Sequence, residues 1–235
     1  MRKCSPWEWD AFFAMTIIPF RREPAPAAEP MAFAIGARVD LRVGALAAGI
    51  VRARGPVDEA FSFSGLSRLL RAARMAWRER GATAPLALAV PGELIGKLEA
   101  DLINEAALEA GCTRRGFSFE LCERAVVAAG PKLPTDLRAR GWGVILRGDP
   151  ECPLPFGARA RTLYSELVLE APAEPDPYLG LEAADRTPLG RRLLAAKAAG
   201  LLITAETVRS TAQAKMLAMA GFDRGGGPFA EAALR

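Results

Sequence analysis

From residue 31 onward, short apolar runs alternate along the chain with longer segments in which apolar residues recur every three or four positions. Short apolar runs predict β-strands, and the three-to-four spacing predicts amphipathic helices. Leu94, Leu98 and Leu102 give the clearest example, because they fall on one face of a helix. Strands that alternate with helices are typical of parallel strands joined by crossover helices. The pattern therefore predicts an α/β fold.

The pattern places seven strands and five helices. The predicted strands are Phe33 to Leu41, Leu46 to Ala53, Leu86 to Val90, Phe117 to Cys122, Gly143 to Leu146, Tyr164 to Leu169 and Leu201 to Ala205. The predicted helices are Gly65 to Arg80, Glu93 to Ala110, Thr135 to Arg140, Thr187 to Ala199 and Val208 to Ala220. Seven or eight strand–helix units in about 200 residues suit a closed barrel as well as an open sheet, and periodicity does not distinguish the two.

Residues 1–30 differ in composition from the rest of the chain. An aromatic cluster that includes Trp7 and Trp9 leads into a proline- and alanine-rich stretch, Glu23 to Pro30. We interpret residues 1–30 as an appendage of a single domain, residues 31–235. The aromatic cluster either packs against that domain or anchors the chain to a partner or a membrane surface. Two further proline-rich segments, 149–155 and 171–177, are either connectors or contact surfaces.

Composition and charge narrow the classes of function. The 31 basic and 27 acidic residues are intermixed, so the net charge of +4 does not indicate nucleic-acid binding. The chain contains no histidine, which excludes catalysis by Ser-His or Cys-His pairs and zinc sites with histidine ligands. Its four cysteines lack metal-ligand spacing, and the apolar stretch Ala11 to Phe20 is about half as long as a bilayer requires. These features predict a cytoplasmic protein with no membrane span.

Four local patterns follow one another along the chain: Val39 to Gly44, the strand Phe117 to Arg124, the helix and strand Leu137 to Leu146, and Ile203 to Gln213. In this order they resemble motifs of the EAL-domain cyclic di-GMP phosphodiesterases. Val39 to Gly44 resembles the segment before the name-giving Glu-Ala-Leu motif, and Ile203 to Gln213 resembles an Ala-Glu-Gly-Val-Glu-Thr-x-x-Gln stretch. The resemblance implies a TIM-like (βα)8 barrel of the EAL type with a short N-terminal appendage. It also implies a role in bacterial cyclic di-GMP signalling.

In that family, carboxylates and an Asn at the C-terminal ends of the barrel strands hold two divalent cations that activate the attacking water. The resemblance places Glu120 and Glu206 at retained carboxylate positions. Arg52 falls on an arginine that contacts the dinucleotide in the family, and Gln213 is also retained. The resemblance thus gives five candidate ligand-binding residues, each either functional or a relic: Arg52, Glu120, Arg147, Glu206 and Gln213. Glu123 matches the second Glu of the fourth strand.

Most of the other motif positions are changed. The name-giving Glu corresponds to Ala48, the Asn to a position near Ala89, and the paired aspartates to Arg147-Gly148. The catalytic Lys corresponds to Val168, and the Asp that follows it corresponds to Glu170. The second Glu of the last motif corresponds to Arg209, and the Gln-Pro-Ile element corresponds to Gly36-Ala37-Arg38. A hard cation with too few anionic ligands keeps its own water shell. We therefore expect no metal and no other cofactor, and no hydrolysis of the dinucleotide. We also predict an ion pair of Arg147 with Glu120 or Glu206 in place of the metal.

The predicted function is that of a catalytically inactive EAL-like signalling protein that acts through a protein partner. The family resemblance is also compatible with a homodimer. The alternative is a receptor that binds cyclic di-GMP without hydrolysis, in which Arg52, Arg147 and Arg209 donate to phosphate. In either case Glu120 and Glu206 are binding residues or relics of a lost site.

Two enzymatic alternatives are less compatible with the sequence. Glu120, Glu123 and Glu206 are carboxylates of the kind that glycoside hydrolysis requires, but the aromatic platform typical of sugar sites is missing. Cys122 shares a strand face with Glu120, but no histidine exists to activate its thiol. A small core residue is the expected role of Cys122.

Overall fold

The computed structural model describes residues 32–149, 160–173 and 187–232, and the predicted appendage, residues 1–30, lies outside these ranges. Within them, eight strands form a closed barrel in the order of the sequence. The strands are β1 (Phe33–Asp40), β2 (Leu46–Ala53), β3 (Leu86–Val90), β4 (Phe117–Cys122), β5 (Gly143–Arg147), β6 (Glu166–Glu170), β7 (Leu202–Glu206) and β8 (Arg224–Gly226). The prediction of an α/β barrel is thus confirmed, and the open sheet is excluded.

The first strand departs from the predicted all-parallel arrangement. Strand β1 pairs antiparallel with β2 and with β8, whereas the neighbours from β2 to β8 are parallel. Only five residues join β1 to β2, and a parallel connection needs a crossover of a dozen or more. The hairpin turn is closed by Asp40, whose Oδ1 accepts hydrogen bonds from the backbone N–H groups of Arg42 and Val43.

The helices follow the parallel strands around the outside of the barrel. They are α1 (Val57–Ala60), α2 (Phe63–Glu79), α3 (Ala100–Glu109), α4 (Glu123–Ala129), α5 (Lys132–Ala139), α6 (Ala160–Leu163), α7 (Pro188–Ala198), α8 (Thr211–Ala220) and α9 (Pro228–Ala232). A 3-10 turn, Gly92–Leu94, precedes α3. The single helix predicted from Glu93 to Ala110 is therefore wrong in its first part, where Gly92 and Gly96 disfavour a continuous helix.

Helix α2 shows how the sequence pattern becomes packing. Ser62 caps the N-terminus of the helix, because its hydroxyl accepts a hydrogen bond from the N–H of Gly65. Leu66, Leu70 and Trp77 lie on its buried face and belong to the main hydrophobic core between the helices and the barrel. This periodic burial stabilises the layer of helices against the strands.

A second, smaller apolar cluster lies inside the barrel. It comprises Ile50 on β2, Ala87 on β3, Ile145 on β5 and Val168 on β6. Successive strand residues point to opposite faces, so these four point inward while their neighbours pack against the helices. The interior of the barrel is therefore filled by side chains.

Five described elements were not predicted from the sequence: β8 and the short helices α1, α4, α6 and α9. Strand β8 consists of Arg-Gly-Gly and has no apolar side chain to mark it. Helix α4 has seven residues and follows β4 without a turn signal. Among the described residues, no helix combines the length and the hydropathy that crossing a bilayer requires.

Candidate functional site

Arg38 lies at the centre of a buried cluster of charges inside the barrel. Its side chain is fully buried and forms ion pairs with three carboxylates, those of Glu120, Glu166 and Glu206. Arg38 Nη2 donates to Glu120 Oε2, and the same nitrogen lies 2.6 Å from Glu206 Oε1. Arg38 Nε lies 3.0 Å from Glu206 Oε1, and Nη1 lies 3.4 Å from Glu166 Oε1.

The alternation of β1 directs Arg38 into the barrel. Ala37 and Val39, on either side, pack together with Ala230 of α9 on the outer face of the strand. Arg38 must then point to the opposite, inner face. A buried guanidinium is tolerated only when it is paired and hydrogen-bonded, and the three carboxylates supply these partners.

Two further arginines complete the charge cluster. Arg52 Nη2 donates to Glu206 Oε2 over 2.8 Å, and Arg224 Nη1 donates to Glu166 Oε2 over 2.8 Å. The hydroxyl of Thr204 donates to Glu166 Oε1 over 2.6 Å. Three cations therefore neutralise three carboxylates. One acceptor is left over: Glu120 Oε1 is buried and has no hydrogen-bond partner in the described part of the chain.

The ion pairs shift the pKa values of two groups in the cluster. Burial alone would lower the pKa of Arg38, but the charges of Glu120, Glu206 and Glu166 outweigh burial and raise it. Burial likewise opposes ionisation of Glu206, yet Arg38 and Arg52 lower the pKa of that carboxyl below its ordinary value. Arg38 and Glu206 are therefore both charged at neutral pH.

A cavity opens above this cluster, at the barrel mouth, which we define as the end where the parallel strands have their C-termini. The cavity has a volume of about 300 Å³. Its walls include Arg52, Glu120, Cys122 and Arg147, together with Pro91 of the segment after β3. The barrel mouth thus brings together three of the five candidate site residues, which are Arg52, Glu120 and Arg147. A fourth, Glu206, is joined to Arg52 by an ion pair.

The prediction that Arg147 forms an ion pair with Glu120 or Glu206 is wrong. Arg147 ends β5 with an exposed side chain, and among the described residues its guanidinium lies within 4.0 Å of neither Glu120 nor Glu206. Arg147 acts on Glu206 only through space, by contributing to the lowered pKa of that carboxyl. The internal cation is Arg38, in the altered Gln-Pro-Ile element. The sequence signal that could have identified Arg38 is an arginine with apolar neighbours, Ala37 and Val39, inside a predicted strand.

Gln213 lies apart from the cluster, at the start of α8. Its Oε1 accepts a hydrogen bond from the N–H of Arg209 over 2.8 Å, and its Nε2 donates to the carbonyl of Pro172 over 2.8 Å. Gln213 therefore joins the segments that follow β6 and β7. Glu166, in contrast, belongs to the site and was not identified from the sequence, because no motif position marks it.

Glu123 forms a second buried ion pair beside the barrel mouth. Its carboxylate accepts from Arg192 Nη2 of α7 and, over 2.7 Å, from the N–H of Asp149. Asp149 lies two residues beyond Arg147, so this pair holds the chain just after β5. Glu123 is thus ion-paired, as are Glu120 and Glu206, and none of the three is a free acid or base for glycoside hydrolysis.

Cys122 differs from its expected role as a buried core residue. The thiol-bearing side chain is half-buried, and it lines the cavity as well as packing against the main core.

Cys112 is fully buried, and burial raises the pKa of its thiol to about 11. A thiol that stays protonated at neutral pH is a poor nucleophile.

The side chains at the barrel mouth do not fit two divalent cations. Ala48, Ala89 and Arg147 stand where the EAL resemblance places metal ligands or their carboxylate partners. Arg38 contacts the remaining carboxylates, and a guanidinium repels a metal ion at this distance. Within the described ranges, no group of three or more Asp, Glu or Cys side chains is arranged to hold a metal.

No protein-family model matches the sequence, and no curated protein sequence is significantly similar to it. Solved structures are similar. The MucR phosphodiesterase in complex with c-di-GMP has a TM-score of 0.64 at 17% identity, over 86% of this chain and 95% of that chain. The EAL domain of Mycobacterium smegmatis DcpA has a TM-score of 0.60 at 23% identity, over 83% of this chain and 90% of that chain.

A third similar structure is Klebsiella pneumoniae BlrP1 in complex with calcium and cyclic di-GMP, with a TM-score of 0.63 at 16% identity. The alignment covers 86% of this chain but 55% of the BlrP1 chain. The EAL enzyme Bd1971 is likewise a longer chain, of which this chain spans 61%. Eight strands in a closed barrel and these three-dimensional similarities agree with the resemblance that the sequence motifs predicted. The chain therefore has the barrel fold of the EAL-domain proteins.

Proposed function

We propose that this chain is a non-hydrolysing EAL-type protein of bacterial cyclic di-GMP signalling, which acts in the cytoplasm through a protein partner. The observation that carries the proposal is the position of Arg38 among Glu120, Glu166 and Glu206. The chain supplies its own cation where hydrolysis by metal-activated water would need metal ions.

The chemistry of the site supports the loss of hydrolysis. Metal-assisted hydrolysis needs a water molecule whose pKa is lowered by the metal, and open coordination positions around that metal. Glu120 and Glu206 direct their carboxylate oxygens to Arg38, a cation that binds no water in this way. No histidine exists to act as a general base.

The charges at the barrel mouth disfavour a dinucleotide. Arg52, which the family resemblance makes a ligand contact, is already bound to Glu206. Arg38 and Arg224 are also committed to carboxylates, so Arg147 is the one cation lining the cavity that has no ion pair within the described residues. A dinucleotide with two phosphates would have to compete with these internal ion pairs for the arginines.

Hydrolysis by the purified 235-residue chain tests the first part of the proposal. The chain is incubated with cyclic di-GMP and millimolar Mg²⁺ or Mn²⁺, with the MucR phosphodiesterase as a positive control, and linear product is measured by chromatography. We expect no product above the blank. Turnover that disappears in Glu120→Gln and Glu206→Gln variants would contradict the proposal.

The partner is tested by affinity capture from the native host with the full chain and with residues 31–235. A captured protein counts only when its purified form binds the purified chain in a 1:1 or 2:2 complex. Loss of binding in the shorter chain would assign the contact to residues 1–30. A monomeric chain that binds no purified candidate would contradict the proposal.

A receptor for cyclic di-GMP is the second candidate function. It is favoured by the cavity of about 300 Å³ that Arg52 and Arg147 line, because arginine donates two parallel hydrogen bonds to a phosphate. The similar MucR and BlrP1 structures are complexes with this dinucleotide. Calorimetry with cyclic di-GMP decides between the two candidates. Micromolar binding that Arg147→Met weakens at least tenfold supports the receptor, and no heat at high ligand concentration rejects it.

A further inference from the structure

We infer that a second cavity, at the opposite end of the barrel from the mouth, is a binding site for an organic phosphate. Arg74 and Arg78 bind the phosphate group, and the apolar wall of the cavity contacts the organic part. The inference goes beyond the proposed function and does not depend on it, because this cavity shares no lining residue with the cavity at the barrel mouth.

The second cavity lies where α2 and α3 end and where β3 and β4 begin. Its volume is about 320 Å³, slightly more than that of the cavity at the barrel mouth. Its walls include Arg74, Trp77 and Arg78 of α2, together with Thr83 and Thr113, and no acidic residue is among its described lining residues. Small-molecule sites have volumes of about 300 to 1,000 Å³, so the cavity is large enough for a small ligand.

The two arginines of this cavity carry charge that no described carboxylate neutralises. Arg71, one turn earlier in α2, pairs with Glu109 over 3.8 Å, whereas Arg74 and Arg78 have no carboxylate within 4.0 Å in the described part of the chain. Burial raises the pKa of the Cys112 thiol, and the charge of Arg74 opposes part of that rise. The positive potential therefore extends to the wall of the cavity, where arginine can donate parallel hydrogen bonds to a phosphate.

Backbone groups hold Arg74 in place beside the cavity. Its Nη1 donates to the carbonyl of Ala110, directly after α3. The guanidinium also lies against Gly111, where an added Cβ would be 2.7 Å from Nη1. Because a carbonyl has no net charge, these contacts position the guanidinium without neutralising it. An anion thus meets an arginine whose orientation is already fixed.

The backbone carbonyls near the cavity are bonded to donors of α2. This matters because the C-terminal end of a helix carries about half a negative charge, which opposes the binding of an anion. Arg74 bonds to the carbonyl of Ala110, and Trp77 Nε1 donates to the carbonyl of Ala84 over 2.9 Å. The two side chains therefore offset the negative ends of these carbonyls and leave the charge of Arg78 for the ligand.

The apolar wall favours an organic phosphate over inorganic phosphate. Leu86 and Phe117, the first residues of β3 and β4, line the cavity together with Trp77. Apolar surface that a ligand removes from water at this wall adds to its affinity. A ligand with a phosphate at one end and a ring or short hydrocarbon at the other therefore fits both walls.

The test uses phenyl phosphate as the probe and calorimetry on the purified 235-residue chain. We expect a Kd below about a millimolar at low salt, and weaker binding of inorganic phosphate and of phenol. Arg78→Met should raise the Kd for phenyl phosphate at least about tenfold, and it should keep the fold because Arg78 is exposed. Arg80→Met is the matched control, since Arg80 is also exposed but does not line the cavity. Its Kd should stay within about twofold of the wild type.

A second measurement locates the bound probe. Amide chemical shifts in NMR spectra should change most at Thr83 and Thr113 when phenyl phosphate is added. Arg147→Met, at the barrel mouth, should leave the Kd unchanged. Absence of heat at about 10 mM phenyl phosphate, or binding that Arg147→Met abolishes and Arg78→Met does not, would overturn the inference. Hydrolysis of cyclic di-GMP would contradict the proposed function and leave this inference standing.

The phosphate group belongs either to a soluble compound or to a lipid headgroup, and vesicles distinguish the two sources. The chain is sedimented with phosphatidylcholine vesicles with and without phosphatidic acid. Sedimentation that needs phosphatidic acid and that phenyl phosphate reverses would assign the site to a lipid headgroup. Binding of phenyl phosphate without sedimentation assigns it to a soluble organic phosphate.

Discussion

Arg38 and Glu120 pair across the interior of the barrel, not along its wall. Arg38 lies on β1, whose hydrogen-bonded neighbours are β2 and β8, and Glu120 lies on β4, whose neighbours are β3 and β5. Both side chains are almost fully buried. The ion pair therefore joins two strands that have no backbone contact, and it fixes the antiparallel first strand to the parallel part of the barrel.

Arg38→Met is expected to destabilise the fold strongly. The substitution leaves the carboxylates of Glu120, Glu166 and Glu206 with one cation fewer in a buried site, and breaking a buried ion pair costs about 3–5 kcal/mol. The free energy of unfolding, from urea denaturation, measures the effect. Arg147→Met removes an exposed arginine from the same barrel mouth, and we expect it to change stability by less than about 0.5 kcal/mol. Equal losses of unfolding free energy in Arg38→Met and Arg147→Met would show that Arg38 does not hold the cluster of buried charges together.

Thr207 has a strained backbone directly after Glu206. Its φ is 62°, in the left-handed region that β-branched residues avoid, and the similar EAL motif has Gly at this place. Thr207→Gly should stabilise the fold by about 0.5–1 kcal/mol, since relief of the left-handed strain exceeds the entropy that Gly adds to the unfolded chain. Urea denaturation measures the change.

Gly227→Ala provides the opposite control at the neighbouring strand end. Gly227 has a φ of +97°, and an added Cβ would lie 2.9 Å from Thr207 Cα. This substitution should cost more than about 1 kcal/mol. A loss of stability in Thr207→Gly would mean that the Thr side chain makes a stabilising contact that outweighs its strain.

The strands were predictable because most of them are apolar and flanked by polar turns. Strands β2, β3 and β4 have the predicted bounds, and the helices on the outside follow the periodic pattern. Strand β8 was not predictable, because the Arg-Gly-Gly segment forms a strand only when β7 and β1 close the barrel around it. Tertiary structure determines this element, and local propensity does not.

The candidate site was predictable in part. The motifs indicated Glu120, Glu206 and Arg52, which the structure brings into one cluster. They did not indicate Arg38, because the orientation of an arginine in a strand depends on partners that lie 82 to 168 residues away in the chain. Arg147 occupies the position of two anions in the motif, yet its side chain points to solvent at the end of β5.

The fold should become less stable in acid, partly because the carboxylate of Glu206 becomes protonated. The pKa of Glu206 is lowered in the folded state, so its stabilising contribution is complete above the unfolded value of about 4.3 and is lost as the pH falls below it. Unfolding free energies at pH 3 to 8 for the wild type and Glu206→Gln test this. We expect the wild type to be more stable at pH 7 and the difference to shrink below pH 4. A difference independent of pH would contradict the role of the charge. The absence of histidine keeps the interval from pH 6 to 8 free of side-chain imidazole titration.

Gln213→Ala should affect the structure and leave the cavity unchanged. Gln213 joins the N–H of Arg209 to the carbonyl of Pro172, and a lost hydrogen bond of this kind costs about 1 kcal/mol. We expect a modest loss of unfolding free energy and, where the chain binds cyclic di-GMP, an unchanged Kd by calorimetry. A tenfold weaker Kd would instead make Gln213 a ligand contact, as the sequence motif suggested.

The ion pair of Glu123 and Arg192 should stabilise the fold far more than an exposed pair. Both side chains are buried, and Glu123 also accepts from the N–H of Asp149. Glu123→Gln keeps an acceptor for Asp149 but removes the charge that compensates Arg192. We expect a loss of about 3 kcal/mol or more in unfolding free energy. Because the same carboxylate holds the chain after Arg147, hydrogen exchange at Gly148 and Asp149 should also accelerate.

Lys132→Ala is the matched control for that substitution. Lys132 pairs with Glu99 over 3.1 Å and with Asp136 over 3.4 Å, and the side chains of Lys132 and Glu99 are each 71% exposed. A surface pair of this kind contributes about 0–1 kcal/mol, so the variant should unfold almost as the wild type does. The two results together separate burial from ion pairing as the source of stability. If both variants lose the same unfolding free energy, burial does not strengthen the ion pair of Glu123 and Arg192. The chain after β5 must then be held by other contacts.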